Sequence, residues 1–91
     1  MQITWTEPAL RDLAAVRAYI AGDNPSAAAR RIALVVQVAG NLIRFPNIGR
    51  PGARELVVAG TPYLLPYRIA ADRLEILRVL HGRHRWPDHF D

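Results

Sequence analysis

Cysteine is absent from the 91 residues, which removes a disulfide framework, a thiolate metal site and a cysteine nucleophile together. Lysine is absent as well, so all twelve basic residues are arginine. No apolar run approaches the ~20 residues that a membrane-spanning helix requires; Ile32 to Val36 and Val38 to Gly40 fall far short of it. Gln2 to Trp5 reads as a strand, without the basic segment, apolar stretch and small-residue cleavage site of a secretion signal, so the chain is expected to be cytoplasmic. No zinc ligand set is present, and no metal or cofactor is expected.

What is present is the composition of an ordinary globular protein, 51% hydrophobic and 22% charged, in a chain long enough for one domain spanning residues 1–91 and too short for a second core. Twelve arginines against eight acids leave a formal charge of +4, which favours an anionic partner, whether nucleic acid or an acidic protein. The charge is uneven. Arg44, Arg50, Arg54, Arg68, Arg73, Arg78, Arg83 and Arg85 face only Glu55, Asp72 and Glu75 over the same stretch. An arginine-rich solvated surface accounts for a basic excess equally well, so position has to carry the argument.

Thr6-Glu7-Pro8 follows the first strand, with Thr6 able to cap a helix and Pro8 suited to its first turn. Ala9, Leu13, Val16 and Ile20 then recur at helical spacing, with Leu10 beside them, and predict a helix to about Ala21. Gly22-Asp23-Asn24-Pro25 breaks it and starts a second helix, capped by Asn24, and the short turn predicts an antiparallel helical hairpin. Ala28, Ile32, Val35, Ala39 and Leu42 form the core face of the second helix. Leu34, Val36, Val38 and Ile43 widen its apolar surface beyond what two layers need, leaving Arg30, Gln37, Asn41 and Arg44 as the polar strip. A helix apolar over so much of its circumference is expected to be covered by another chain.

Phe45 to Gly52 has loop chemistry, with Pro46, Gly49, Pro51 and Gly52. Three strands follow: Arg54 to Val58, Tyr63 to Ala70 after the turn Ala59-Gly60-Thr61-Pro62, and Arg73 to His81 after Ala71-Asp72. Pro66 lacks a ladder donor, so its strand must be bulged there or lie at an edge. Arg78 alternates onto the apolar row of Leu74, Ile76 and Leu80, where a guanidinium needs an ion-pair partner or a bulge, and Glu55 and Glu75 are the candidate partners. Tyr63 and Tyr67 are expected to be half-buried. The order is β-α-α-β-β-β, an α+β domain in which an N-terminal strand and a helical hairpin pack on an antiparallel sheet.

Trp5 with Ala9 and Asp12-Leu13, Tyr19-Ile20, Asp23-Asn24-Pro25, Phe45-Pro46 to Gly49-Arg50-Pro51-Gly52, Arg54-Glu55-Leu56, Tyr63 to Arg68, and Ile76 to Arg83 occur in an order and spacing that resembles the RelE/ParE toxin family. The most specific stretch is LRVLHGRHRWP, which looks like the final strand and basic turn of ParE-type plasmid-stabilisation toxins. The resemblance implies the toxin of a type II toxin–antitoxin pair, forming a hetero-oligomer with a small cognate antitoxin, ParD-like or another, whose C-terminal segment wraps it. Leu34, Val38, Arg30 and Arg54 are the residues expected to face that antitoxin. It also implies one of two targets: ParE-type members block DNA gyrase, whereas RelE-type members cleave mRNA on the ribosome.

A ribonuclease needs a base for the 2′-hydroxyl, an acid for the leaving oxygen and cations for the phosphate. RelE-type enzymes use lysines and arginines; this chain has no lysine, and Leu64 stands where they place a phosphate-binding arginine. Arginine stays protonated at neutral pH, so a nuclease would have to recruit histidine or a carboxylate, with His81, Arg83 and His84 as the candidates near the basic turn. His81 at a strand end is more often a hydrogen-bonded structural group than a catalyst. His89 lies near the C-terminus. The expected action is therefore gyrase inhibition without catalysis. Gly82 permits a turn that would splay Arg83, His84, Arg85 and Trp86 into a target-binding surface, although Trp86 could equally anchor the tail; Arg50 to Arg54 is the next candidate surface. A small nucleic-acid-binding module ranks third, because no helix-turn-helix, zinc or aromatic RNA-binding signature is present. A ribonuclease acting on free RNA would instead pair two histidines in one pocket.

Overall fold

The capping and spacing signals translate directly into local structure. In the computed structural model, which describes residues 2–47 and 54–82, β1 (Gln2–Trp5) leads into α1 (Glu7–Ala21), and α2 (Pro25–Gly40) continues into a 3-10 turn at Asn41–Ile43. Four strands follow: β2 (Arg54–Val57), β3 (Tyr63–Ala70), β4 (Arg73–Ile76) and β5 (Leu80–His81). Both helix starts use the side-chain oxygens expected of them. The Ala9 amide donates to Thr6 Oγ1 at 3.2 Å, and the Ala27 amide donates to Asn24 Oδ1 at 3.0 Å, each with a proline in the first turn.

The strands form one sheet in the order β1-β4-β3-β2, with β5 also paired to β3. β2, β3 and β4 are antiparallel as expected, while β1 joins β4 in parallel, so the sheet is mixed. The helical connection explains the parallel entry: a strand followed by a crossover can return beside itself in the same direction. Ala9, Val35, Ala39 and Leu42 from the helices bury against Leu65, Tyr67, Leu74 and Ile76 of the sheet, with Leu13, Val16, Leu34 and Val38 packed half-buried around them. Ile32 of the expected core face is only half-buried, and Leu10 is exposed. Tyr63 and Tyr67 are buried, deeper than expected, and the Tyr67 hydroxyl meets its need for a partner by donating to the Pro46 carbonyl at 2.9 Å.

The expected single strand from Arg73 to His81 is instead two strands, interrupted at residues 77–79. Continuing the β4 register would set Tyr63 opposite Leu80, yet Tyr63 pairs with His81, so one extra residue is inserted. The cause lies across the ladder at Pro66. Its carbonyl accepts from the Leu77 amide at 2.8 Å, so its missing donor faces the interruption, on the side away from β2. Pro66 therefore occupies an interior strand through a bulge and not through an edge position. The one-residue shift turns Leu80 to the face of Leu64 and brings His81 to the face of Tyr63, reversing the alternation read from sequence.

On the face away from the helices, Glu75 accepts from Arg68 Nε at 2.6 Å and lies 3.5 Å from Arg73 Nε. The Arg68 hydrogen bond, with Arg73 adding to it, holds the Glu75 carboxyl below its ordinary range against a smaller opposing effect of burial. Its contribution to stability is thus present above the ordinary carboxyl pKa and is lost as pH falls through the lowered one. Glu75→Gln is expected to flatten the acid limb of stability against pH, measured by urea melts across the acid range.

At the β3–β4 turn, Ala71 holds φ at 56°, a left-handed conformation that disfavours a Cβ. Ala71→Gly is expected to raise stability by about 0.5–1 kcal/mol, net of the extra freedom glycine has when unfolded, and urea denaturation reads the change.

Candidate functional site

The bulge positions the most structured cleft of the described residues. Its two backbone groups next to Arg78 are taken up by α1 and its cap: the Thr6 hydroxyl donates to the Leu77 carbonyl at 2.9 Å, and the Val79 amide donates to Asp12 Oδ2 at 3.0 Å. Arg78 adds two further bonds to the same carboxylate, Nε to Oδ2 at 2.6 Å and Nη2 to Oδ1 at 3.0 Å. The partner of Arg78 is therefore Asp12, and neither Glu55 nor Glu75. The reason is the extra residue, which takes Arg78 out of the sheet's alternation and lets it reach the first helix. The Asp12 hydrogen bond raises the Arg78 pKa above its ordinary value, so the guanidinium is charged throughout the physiological range.

Asp12, Val16 and Tyr19 from α1 face Tyr63, Arg78 and His81 across an open cleft of about 440 Å³. The Tyr63 and His81 rings meet edge to face, with centroids 6.0 Å apart and planes at 87°. Tyr19 is 81% exposed and stands free at the mouth. The Gly82 amide, next in sequence to His81, donates to the Pro62 carbonyl at 2.7 Å; a Cβ on Gly82 would lie 3.3 Å from that oxygen. The cleft thus offers aromatic edges, one imidazole and a neutralised ion pair. That set can hold a side chain or a planar group.

The residues expected to face a partner are divided between α2 and the start of β2. Leu34 and Val38 are half-buried, packed against the core cluster, while Arg30 is exposed on the same helix. Val38 borders a hollow of about 150 Å³ with Asn41, Leu42, Phe45 and Leu56, which connects α2 to β2. Arg54 lies at the start of β2, its Nη1 donating to the Asn47 carbonyl at 3.3 Å. The most exposed apolar side chains of this region are Val36, Ile43 and Phe45, the last under the Arg44 guanidinium at 5.7 Å. Of the residues expected at a catalytic or target surface, His81 lies in the cleft. Arg83, His84, Arg85 and Trp86 lie outside the described residues, as do His89 and the Arg50 loop.

Sequence reasoning missed Asp12 and Tyr19. Their signal was present: Asp12, Val16 and Tyr19 recur at steps of four and three, which places them on one line of α1. Only the unmet need of Arg78 for a carboxylate pointed toward an acid, and sequence distance pointed to the wrong ones.

Residues 3–86 match the family described as the ParE toxin of the type II toxin–antitoxin system parDE. Y4kP of Sinorhizobium fredii is 47% identical over 90 residues, which cover 94% of this chain and 93% of that protein. Toxin RelE2 of Caulobacter vibrioides is 39% identical over 84 residues, covering 89% and 94%. Among solved structures, the chromosomal ParDE toxin–antitoxin system from P. aeruginosa contains a chain similar to this one with a TM-score of 0.79 and 27% identity, covering 89% of this chain and 95% of that one.

Asp12 supports the bulge with three bonds, from side chains that are 19% and 32% exposed for Asp12 and Arg78. Asp12→Ala is expected to cost about 2–3 kcal/mol in urea melts, because it leaves a half-buried guanidinium and the Val79 amide without their acceptor. A double-mutant cycle with Arg78→Met should show coupling of about 1 kcal/mol or more.

Proposed function

The chain belongs to the ParE toxin family of type II toxin–antitoxin systems, and from that premise we propose that it arrests growth by binding DNA gyrase and blocking it, without cutting RNA. The observation that carries this reading is Leu64. In the nuclease members an arginine at this point of the third strand meets the phosphate. Here a half-buried leucine pairs with Val57 on one side and Leu80 on the other, an apolar row with no cation to neutralise developing charge.

The cleft supports the same choice. Among the described residues Arg78 is the only guanidinium lining it, and two of its nitrogens are engaged by Asp12. His81 is the single histidine among the described residues, packed edge to face on Tyr63. The Asp12 carboxylate is engaged by Arg78 and the Val79 amide, so among the described residues proton transfer in the cleft would fall to His81 and the tyrosines. The competing reading, a ribosome-dependent mRNA endoribonuclease, rests on His81 acting with Arg83 and His84.

The target surface in this proposal is Arg83, His84, Arg85 and Trp86, which follow directly on β5 and combine bidentate guanidinium donors with an indole. The cognate antitoxin covers α2 along Leu34 and Val38, with Arg30 and Arg54 supplying contacts to its acidic groups. A helix this apolar in a chain of formal charge +4 suits an acidic, amphipathic partner.

Antitoxin-free protein is expected to inhibit gyrase supercoiling in vitro and to leave ribosome-bound mRNA intact in a parallel assay. Ribosome-dependent cleavage abolished by His81→Ala or His84→Ala would overturn the reading. Arg83→Glu combined with Arg85→Glu should weaken gyrase inhibition by about tenfold or more with the melting transition unchanged. Unchanged inhibition would move the target surface to Arg50–Arg54.

A further inference from the structure

The last described strand is too short to fix its own position. β5 has two residues, which pair with β3 as Tyr63–His81 and Leu64–Leu80, and the Gly82 amide adds one bond to the Pro62 carbonyl at 2.7 Å. Two registers compete for it. Carrying the β3–β4 pairing onward would set Leu80 opposite Tyr63, whereas the observed register sets His81 there. The two differ by one residue, so a slip between them turns each side chain of β5 to the opposite face and moves the strand by about 3.3 Å.

The grip on residues 77–79 selects between them. The Leu77 amide donates to the Pro66 carbonyl at 2.8 Å, the Leu77 carbonyl accepts from the Thr6 hydroxyl at 2.9 Å, and the Val79 amide donates to Asp12 Oδ2 at 3.0 Å. Between them Arg78 forks across both oxygens of the same carboxylate. Thr6 caps α1 and Asp12 lies in its second turn, so one helix holds the two grips at a fixed spacing. Arg78 also opposes the alternative. In the onward register it would pair with Leu65, which is fully buried in the core cluster, and a guanidinium on that face gives up its water among apolar neighbours. One side chain thus stabilises the observed register and disfavours the other.

After β5 the chain passes through Gly82 directly to Arg83, His84, Arg85 and Trp86. We propose that the Asp12–Arg78 pair is a register lock, and that both are positioning residues for the target surface beginning at Arg83. This rests on the reading that those four residues engage the target, and it holds whichever target they engage.

NMR of the antitoxin-free toxin reads the register directly. Opposed residues between ladder bonds bring their Cα atoms to about 4.5 Å, so a strong Hα–Hα contact from Tyr63 to His81 reports the observed register and one to Leu80 the slipped one. Arg78→Ile removes the ion pair and suits the apolar face, so it should move the contact to Leu80. It should also relieve growth arrest on induction and weaken gyrase inhibition by about tenfold or more, while affinity for the antitoxin encoded beside the toxin stays within about twofold. Asp12→Asn keeps an oxygen for the Val79 amide and loses the charged fork, so both contacts should appear and the Val79 amide should exchange about tenfold faster. Asp12→Glu, which restores the charge, should recover the Tyr63–His81 contact. An unchanged Tyr63–His81 contact in the first two variants overturns the lock. A slipped register with undiminished growth arrest overturns the positioning role, and wild-type toxin that causes no arrest overturns it together with the toxin reading. Growth arrest that follows the register while wild-type toxin leaves supercoiling untouched supports the inference and removes the gyrase reading alone. Where Arg78→Ile fails to fold, Asp12→Asn decides.

Discussion

A single missing backbone donor organises one side of this protein. Pro66 sits in the interior strand of the sheet, and its absent N–H falls where the neighbouring strand would have paired. The neighbouring strand responds with one extra residue. The backbone groups released by that bulge must find partners, and they find them on the first helix: Thr6 takes the Leu77 carbonyl and Asp12 takes the Val79 amide. Arg78, carried out of the strand by the same displacement, closes on Asp12. No buried side-chain polar atom among the described residues is left without a partner. The cleft containing Tyr19, Tyr63 and His81 is thus a consequence of satisfying the backbone around one proline.

The rest of the molecule is governed by how little core a short chain can build. The helices cover one face of the sheet, and their apolar inventory exceeds what that face can bury. Leu34 and Val38 are drawn halfway in, while Val36, Ile43 and Phe45 stay substantially exposed. In a protein that functions alone such a surface would favour aggregation; in a toxin paired with an antitoxin it is the surface proposed to be covered.

Electrostatics separates the two halves of the molecule by role. On the outer sheet face and in the cleft, arginines are engaged by acids: Arg68 and Arg73 by Glu75, Arg78 by Asp12. These pairs position strands and a helix. The helical arginines Arg30, Arg31 and Arg44 have no acid on their own element, and the basic run after β5 has none between Arg83 and Arg85. Unbalanced charge is therefore concentrated where partners are proposed to bind, which favours fast, salt-sensitive association.

Local rules sufficed for much of this architecture. Thr6-Glu7-Pro8 and Asn24-Pro25 specified both helix starts because capping is a contact over three residues, and the apolar spacing of 28, 35, 39 and 42 specified the buried face because helical periodicity is intrinsic to the backbone. The family was legible for the same reason, since its motifs are short runs in a set order. The bulge was half legible: Pro66 announced that its strand could not pair normally, and Arg78 announced that it needed a charge partner. Which residue would answer lay beyond local reasoning. Asp12 is 66 positions from Arg78, and its selection depended on the parallel insertion of β1, the path of α1 across the sheet and a one-residue shift that exchanged the faces of Leu80 and His81. By itself the sequence determined its helices, its first three strands and its kinship; only the tertiary structure decided where the last expected strand breaks, which acid holds Arg78 and which face His81 occupies, because those depend on contacts between segments that no local pattern encodes.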